Sequence, residues 1–469
     1  MSLLQHPSAI PSAAVSDYEV ANSCKFEKDN SERLQRASNH IGTPTNADKF
    51  TFSLWIKRTE LQDNGEDIFF CGNAGAVSTI FAFQNNFLKF RTNSGDTEMK
   101  TYRVFRDMSA WYHIVIAYDS TDSTEANRVK IYVNGVQITS FSTANYPTQN
   151  ADSEMYETNM SHFVGGPDGS QTAPGYYTEL YFLDGQVKQA SDFGEFDSNS
   201  GIWKPIEYTG SFGDEGYYLD FEDSSNLGLD VSGNSNSFGA LYGISAVDQS
   251  TDTCTNNFCT LNPLINFKYT TNGISDGGTV FGDDTGGGVG GAFGTFAVSS
   301  GKWYWEVKLA EQNDHYIGIS AVDDNDNVLS SSDPQDINSS AIFAISAARF
   351  EYINNGSKTY GSTDAFTDFH STGDIIGIAL NMDDNEISIY GNGTLQSGVA
   401  NSSIYDAANK LVVPFHGTIN DEAQYNFGGY SLWTPSSAVS DANGYGSFEY
   451  APPSGYYALC TKNLAQYGG

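Results

Sequence analysis

The sequence predicts an all-β protein made of two antiparallel β-sandwiches joined by a Gly/Asn/Ser-rich connector. Three observations predict this fold. With 30 Phe, 28 Tyr and 47 Gly but only 17% charged residues, the 469-residue chain has the composition of strands and turns. Asn134-Gly135 and Asn392-Gly393 each follow a run of alternating apolar residues, which is the pattern of a tight hairpin. The chain is also longer than a single hydrophobic core supports.

The first element in chain order is an arm, residues 1–21, which is rich in Ser and Ala and contains Pro7 and Pro11. It has no basic region at its start, so we expect no secretory signal. No apolar run in the chain approaches the length of a spanning helix, so we expect no membrane insertion. A short extended arm can add a strand to a neighbouring sheet edge, and we expect this arm to anchor the chain in that way.

The first sandwich is predicted over residues 22–205. From Phe50 to Ile56 every second residue is apolar, which places one face of a strand in a core. A second alternating run leads into Asn134-Gly135 and continues after it. The sequence therefore predicts a sheet with one buried face and a hairpin at this turn.

A connector is predicted over residues 206–262, where Gly, Ser, Asn and Asp replace most apolar residues. The second sandwich is predicted over residues 263–469. In its most distinctive strand, Trp303 and Trp305 alternate with more polar residues, so both indoles are expected on the core face. No internal repeat relates the two sandwiches, so we expect two different folds.

The net charge limits which partners the chain can bind, and the cysteines indicate the compartment in which it is made. A net charge of −34 repels nucleic acid phosphates, because contacts with them depend on Lys and Arg, so we expect no nucleic acid partner. Five cysteines, sparse and odd in number, do not suggest a disulfide framework and favour synthesis in a reducing compartment. Cys254 and Cys259 lack the second ligand pair that a zinc site needs.

Two short segments match catalytic or cofactor-binding motifs in residue type but lack the structural context that each motif needs. Residues 273–277 fit the nucleophile-elbow pattern and residues 286–291 fit the dinucleotide pattern, but neither is followed by the helix that it requires. A glycoside hydrolase needs two carboxylates that flank one bond, and neither the Glu154 to Glu157 segment nor the Glu179 to Asp184 segment has the spacing of such a pair on a concanavalin-type strand. His113 lies within a predicted strand, where a structural imidazole is expected. We therefore expect no enzyme activity and no cofactor.

Loops carry the contacts on a rigid sandwich, and an acidic loop is the first candidate. Asp323, Asp324 and Asp326 supply the oxygen ligands that calcium prefers. Val328 and Pro334 stand where an EF-hand needs Gly and Glu, so the sequence excludes an EF-hand. A looser structural calcium site and a solvated turn both stay open as interpretations.

The second group of candidates is aromatic. Tyr146, Tyr156, Tyr176 and Tyr177 are predicted to be exposed in loops, where their rings would stack on sugars or pack in a subunit interface. The sequence leaves both outcomes open. The glycine-rich loop from 282 to 293 is a further candidate for contact with a partner.

Several segments of the sequence resemble segments of known families. Those at 50–57, 111–115, 130–135, 163–166 and 175–184 resemble the laminin G-like, concanavalin A-type jelly roll. Those at 301–307, 317–320, 373–377, 426–428 and 455–460 resemble a SPRY domain. Both resemblances imply binding modules without catalytic chemistry.

The order of the two modules, with the connector between them, resembles virion proteins of marine bacteriophages. This implies a structural virion protein, expected to be a tail fibre or host-recognition protein that binds a host glycan or surface protein. It also implies synthesis in the host cytoplasm, contacts with other virion proteins and a homo-oligomer. A capsid decoration or fibre protein with mainly structural contacts is one alternative. A tailspike-type glycan depolymerase and a secreted bacterial adhesin are two others.

Overall fold

The chain divides into two compact units, one ending at Thr255 and the other beginning at Asn256. The boundary falls inside the predicted connector, so residues 206–255 fold with the first sandwich instead of forming a separate linker. The computed structural model describes residues 18–28, 32–61, 65–73, 76–157, 159–167, 171–241, 243–264, 273–282, 290–311, 314–322, 340–345, 349–361, 371–419, 421–429 and 432–468.

The first unit is built from short to medium strands connected by turns. In chain order its described strands are β1 Ser23–Phe26, β2 Arg33–Arg36, β3 Lys49–Arg58, β4 Glu66–Asn73, β5 Ala76–Gln84, β6 Phe87–Thr92, β7 Thr97–Val104, β8 Trp111–Asp119, β9 Val129–Val133, β10 Val136–Gln137, β11 Phe141–Asn145, β12 Ser161–Val164, β13 Gly175–Asp184, β14 Gly194–Phe196, β15 Trp203–Pro205, β16 Tyr217–Leu219, β17 Gly239–Leu241 and β18 Gln249–Ser250. Single 3-10 turns lie at Ser38–His40, Asn93–Gly95, Glu125–Asn127, Glu154–Tyr156, Ala190–Asp192 and Ala246–Asp248.

Two antiparallel sheets form this sandwich. The first sheet has the order β10-β9-β8-β3-β13-β1-β18, and β16 also pairs with β13. The second sheet has the order β11-β7-β6-β5-β4-β12-β2-β17. Aromatic rings from the two sheets meet in the core, where the Phe52 and Phe81 ring centroids are 4.5 Å apart. The predicted antiparallel sandwich is confirmed.

Strand β3 is buried on both of its faces. Phe50, Phe52, Leu54 and Ile56 lie in the core between the sheets, as the alternation predicts. The opposite face of this strand, which includes Trp55, is also buried. The reason is that later segments of the chain pack over the outer face of the first sheet and form a second, smaller apolar cluster there.

The segment from 206 to 255 completes both sheets. Its strands β16, β17 and β18 pair with β13, β2 and β1. Two buried ion pairs join it to the sandwich: Lys57 Nζ lies 2.7 Å from Asp252 Oδ2, and Arg36 Nη2 lies 2.6 Å from Glu215 Oε2. This unit therefore includes residues that the sequence assigns to the connector.

The beginning of the described chain is attached to the same unit. The Tyr18 hydroxyl donates to Glu179 Oε2 at 2.8 Å, and the Val20 N–H donates to Thr255 Oγ1 at 3.2 Å. Glu179 is buried at a register shift of β13 and also accepts bonds from the hydroxyls of Tyr181 and Tyr218. Residues 1–17 of the predicted arm lie outside the described residues.

The second unit is a separate sandwich. In chain order its described elements are β19 Ile274–Ser275, β20 Val280–Gly282, β21 Gly290–Phe293, β22 Lys302–Leu309, β23 Asp314–Ala321, β24 Ser340–Ala344, β25 Arg349–Asn354, β26 Ser357–Tyr360, β27 Ile375–Asn381, β28 Glu386–Gly391, β29 Thr394–Leu395, β30 Ser402–Ser403, β31 Val412–Ile419, β32 Glu422–Asn426, β33 Tyr457–Ala458 and the helix α1 Thr461–Tyr467. Single 3-10 turns lie at Ser397–Val399 and Tyr405–Ala407.

One sheet of this unit has the order β19-β20-β32-β22-β27-β28-β29, with β30 on β28 and β33 on β22. The other has the order β21-β31-β23-β24-β25-β26. Trp303 and Trp305 lie in the core between them, as predicted from the alternation in β22.

Both predicted Asn-Gly hairpins are present. Asn134 and Gly135 have φ of 49° and 78° and join β9 to β10, and Asn392 and Gly393 have φ of 45° and 78° and join β28 to β29. Positive φ at both positions gives the turn a twist that matches the flanking strands.

Candidate functional site

A pocket lies on the outer face of the first sheet, between the β9–β10 turn and the β14–β15 hairpin. Its volume is about 450 Å³, which is in the range of small-molecule sites. The side of the sheet contributes Tyr132 and Gly135. The covering segment contributes the remaining lining residues, which are Gln189, Ala190, Ser191, Gly194, Glu195, Phe196, Trp203 and Ile206.

Trp203 is the most firmly positioned side chain of the pocket. Its Nε1–H donates to His113 Nδ1 at 3.0 Å. Gly135 and Gly194 both lie so close to the indole that a Cβ at either position would overlap it. The Phe196 ring meets the indole edge-on, with ring centroids 4.9 Å apart. Two glycines and one imidazole therefore define where this indole lies.

His113 supports Trp203 from inside the sheet. Because an indole N–H can only donate, His113 Nδ1 is an acceptor, and the neutral ring carries its proton on Nε2, which lies 2.9 Å from Ser53 Oγ. Burial lowers the pKa of His113 to about 3. An imidazole with its proton directed at the serine cannot accept a proton from it, so Ser53 and His113 do not form a nucleophile and base pair.

The polar groups of the pocket lie at its rim. The Glu195 side chain is 56% exposed, and Oε1 lies 3.2 Å from Lys204 Nζ. Gln189 adds an amide to the lining. Aromatic walls with a few carboxylate and amide groups suit a ligand that has both an apolar face and hydroxyl groups, such as a sugar ring.

Three of the four tyrosines predicted to be exposed are buried, so that prediction is wrong for them. Tyr176 and Tyr177 lie within β13 and are 3% and 0% exposed, and Tyr156 is 8% exposed. The Tyr177 hydroxyl donates to the Ala173 carbonyl at 2.8 Å inside the core. Tyr146 alone is half-buried, against the main core, and none of the four lines the pocket.

The acidic candidates lie outside the described residues. This applies to Asp323, Asp324 and Asp326, and also to most of the glycine-rich loop from 282 to 293. Within the described ranges, no group of three or more His, Cys, Asp or Glu side chains is placed to hold a metal ion. The helix of the described chain is not long and apolar enough to cross a membrane.

The second unit contains a buried carboxylate with a structural role. Glu306 on β22 accepts bonds from the backbone N–H groups of Glu449 and Tyr450 at 2.9 and 2.8 Å. Burial raises the pKa of Glu306 to about 7. The carboxylate ties a late segment of the chain to the outer face of its sheet.

The pocket residues Phe196, Trp203 and Glu195 were missed in the sequence. One signal was available, because the Asp197 to Gly201 segment between the two aromatic residues is rich in turn formers and predicts a short hairpin. The contact between Trp203 and His113 joins residues far apart in sequence, and no local pattern reports it.

Two family profiles match the chain. Residues 32–191 match the concanavalin A-like lectin/glucanases superfamily, and residues 302–430 match the SPRY domain. The chain contains a concanavalin A-like domain followed by a SPRY domain. No curated protein matches the chain.

Solved structures similar to the chain include members of both classes. The SPRY domain of human HERC1 is 17% identical, over 35% of this chain and 96% of that chain, with a TM-score of 0.25. A candidate carbohydrate-binding protein from Bacteroides ovatus is 13% identical, over 48% of this chain and 60% of that chain, with a TM-score of 0.31. A heptameric SAP-like pentraxin from Limulus polyphemus is 15% identical, over 36% and 80%, with a TM-score of 0.28.

The pocket is only partly made by the matched part of the concanavalin A-like domain. Tyr132, Gly135 and Gln189 lie within residues 32–191, whereas Phe196 and Trp203 follow that range. The segment after the matched range folds back over the first sheet and completes the pocket. This site therefore depends on a feature of this chain beyond the matched range.

Proposed function

We propose that this chain is a non-enzymatic glycan-binding protein whose aromatic pocket on the concanavalin A-like domain receives a sugar ring. The observation that carries the proposal is the positioning of Trp203 by His113, Gly135 and Gly194. A rigid aromatic wall next to a carboxylate and an amide supports binding of a ring that has one apolar face and equatorial hydroxyls.

Absence of catalysis belongs to the proposal. The support for it is that the Ser53 and His113 pair has the wrong proton arrangement, and that the rim carboxylate Glu195 is paired with Lys204. No cofactor is required for this binding mode, so we expect glycan binding to persist in a calcium chelator. Release of new reducing ends from a bound glycan would contradict the proposal and favour a depolymerase.

The biological setting that we propose is a bacteriophage virion, with the chain as a tail fibre or host-recognition protein made in the host cytoplasm. The order of the two modules supports this, and so do five free cysteines. The partners would be a host surface glycan or protein and other virion proteins, within a homo-oligomer, without nucleic acid and without membrane insertion. A capsid decoration protein is the second candidate, because the SPRY domain adds a further surface for structural contacts.

The pocket is tested on a glycan array with the wild-type chain and the variant Phe196→Ala. Phe196 is 52% exposed, so its removal leaves the core intact, and we expect a loss of about fivefold in affinity from one lost aromatic contact. Tyr360→Ala is the matched control, since Tyr360 is a 53% exposed ring in the second unit. An equal loss in both variants, or in neither, would argue against the pocket.

The virion setting is tested by antibody labelling of purified particles, combined with blocking of adsorption. Label at tail tips with blocked adsorption supports a receptor-binding fibre. Label over the shell without blocking supports a decoration protein. Absence of label removes the virion proposal and leaves the glycan pocket to be judged by the array.

A further inference from the structure

The outer face of the second sheet carries a row of cations. Along β6, Leu88 and Phe90 face the core, so Lys89 and Arg91 face outward. In the register of the sheet, Lys89 lies directly opposite Lys100 of β7. Like charges at facing positions destabilise a sheet, so this arrangement has no stabilising role of its own.

More basic residues lie at the end of β7 and just after it. Tyr102 is 64% exposed, and Arg103 and Arg106 are also exposed. Arg103 alternates to the opposite side of β7 from Lys100 and Tyr102, and its guanidinium lies 5.2 Å from the centroid of the ring of Phe105, a core residue. We name these residues the cationic strip: Lys89, Arg91, Lys100 and Tyr102 on the outward face of the sheet, and Arg103 and Arg106 at the end of β7 and after it.

One carboxylate lies among these cations, that of Glu98, which is directly opposite Arg91 in the register of the sheet. Lys89 Nζ lies 3.1 Å from Glu98 Oε2. The other four cations have no ion pair with any carboxylate in the described part of the chain. Lys100 instead donates to the Gln84 amide oxygen and lies over the Phe87 ring. In a chain with 57 Asp and Glu against 23 Lys and Arg, this is a locally reversed charge.

We propose that the cationic strip binds a single chain of an anionic polysaccharide, one that carries sulfate or uronate groups. The cations lie on two adjacent strands, which are about 5 Å apart, so a linear chain lying along these strands meets several of them in turn. The exposed Tyr102 ring provides a face on which a sugar can stack. An extended row of exposed cations suits a polymer, whereas a small ligand needs a concave site.

Charge also decides between a polysaccharide and a nucleic acid. A duplex carries one negative charge per about 1.7 Å and is wide, so phosphates beyond the strip would lie over the acidic remainder of a chain with net charge −34. A single polysaccharide chain stays on the strip. Repulsion from more distant carboxylates fades within a Debye length of about 8 Å at physiological salt.

The strip and the aromatic pocket lie on different sheets of the same sandwich, and the proposal does not depend on the pocket. The test compares dextran sulfate with unsulfated dextran, which share one backbone, by biolayer interferometry at low and physiological salt. We expect the intact chain to bind the sulfated polymer only, and more weakly as salt rises.

The decisive variant is Lys89→Gln/Lys100→Gln. We expect it to lose at least about tenfold in affinity for dextran sulfate, because hydrogen bonds to charged groups are among the strongest. Lys130→Gln/Lys302→Gln, which removes two half-buried lysines elsewhere, is the matched control and should bind like the wild type. Phe196→Ala should also bind dextran sulfate normally, which separates failure of the strip from failure of the pocket.

Three outcomes would overturn the proposal. Equal loss in the strip variant and the control variant would show a general charge effect. Binding of a short DNA duplex as tight as that of dextran sulfate would show a nonspecific polyanion surface. Dimerisation of the wild type that the strip variant abolishes would show that a second copy of the chain occupies the strip.

Discussion

The two outer faces of the concanavalin A-like domain differ although both sheets turn one apolar face to the shared core. On the first sheet, outward residues such as Val115, Tyr132 and Tyr181 are buried under residues 186–216. On the second sheet, outward residues such as Lys89 and Lys100 remain partly exposed. A strand that is apolar on both faces therefore indicates that a later segment covers it, and a strand with outward cations indicates an open face.

The largest expected difference in stability is between substitutions of two lysines at opposite ends of β3, one covered and one partly exposed. Lys57→Met removes the cation that faces Asp252 in a pair with exposures of 0% and 2%, and leaves a carboxylate in the interior. We expect the free energy of unfolding to fall by about 3–5 kcal/mol. Lys49→Met, at the other end of β3, affects a pair with exposures of 30% and 20% and should change it by no more than about 1 kcal/mol.

Denaturant unfolding of both variants gives this comparison directly. Similar losses would mean that the segment containing Asp252 does not bury Lys57 tightly in solution. A large loss confined to Lys57→Met would support the inclusion of residues 206–255 in this domain.

The next largest expected effect is the loss of stability at low pH that His113, on the covered face of the first sheet, contributes. The folded pKa of His113 is about 3, below its ordinary value of 6.5, so the native state binds fewer protons than the unfolded state between these values. The contribution of neutral His113 to the free energy of unfolding is fully present above about pH 6.5 and is lost progressively as the pH falls towards 3. His113 alone should contribute a loss of about 2 kcal/mol at pH 5 relative to pH 7. Burial also lowers the pKa of His162 to about 4, which adds a loss of its own in the wild type and in a His113 variant alike.

The measurement is denaturant unfolding at pH 7 and pH 5 for the wild type and His113→Gln, which keeps an acceptor and a donor but does not titrate in this range. The difference between the two proteins should shrink as the pH falls. A constant difference would mean that His113 is not held neutral. Dextran sulfate binding by the strip should stay unchanged over the same range, because Lys and Arg keep their charge.

Local pattern was enough to predict the sandwiches and not enough to predict the site. The alternation from Phe50 to Ile56 and the Asn134-Gly135 turn are local, and both predictions are confirmed. Tyr176 and Tyr177 were assigned to exposed loops because nothing next to them in sequence shows that they lie within β13. Their burial depends on strands that pair from distant parts of the chain.

The two candidate surfaces escaped sequence reasoning for different reasons. The Trp203 bond to His113 exists only once residues 186–216 have folded back, so it has no local signature. The cationic strip did have one, five Lys and Arg against two acidic residues between Lys89 and Arg106, but the net charge of −34 masks it. Charge averaged over a whole chain does not describe a single face of a sheet.

The shape of the pocket is tested by two glycines near the β14–β15 hairpin. Gly135 and Gly201 both have positive φ, at 78° and 70°, so Ala adds a similar backbone strain at each. At Gly135 the new Cβ would also overlap the Trp203 ring, whereas at Gly201 nothing lies within 4 Å. We expect Gly135→Ala to destabilise the domain by about 1–2 kcal/mol more than Gly201→Ala.

Only Gly135→Ala should also weaken binding on the glycan array, because it displaces the indole. Binding that survives a displaced Trp203 would mean that the indole does not contact the sugar. A matching loss in Gly201→Ala would point to a change in the hairpin backbone instead.

The smallest expected change in stability is on the open face, where Glu98→Gln removes the carboxylate that pairs with Lys89. The pair is partly exposed, with side-chain exposures of 15% and 25%, so the free energy of unfolding should change by less than about 1 kcal/mol. Affinity for dextran sulfate should rise severalfold, since the strip then carries five cations without this neighbouring carboxylate. A fall in affinity would instead mean that Glu98 holds Lys89 in its binding position. The loss of that positioning would then outweigh the removal of the repulsion between Glu98 and the anionic polymer. Interferometry on the variant and the wild type at low salt, where surface charges interact most strongly, separates these two roles.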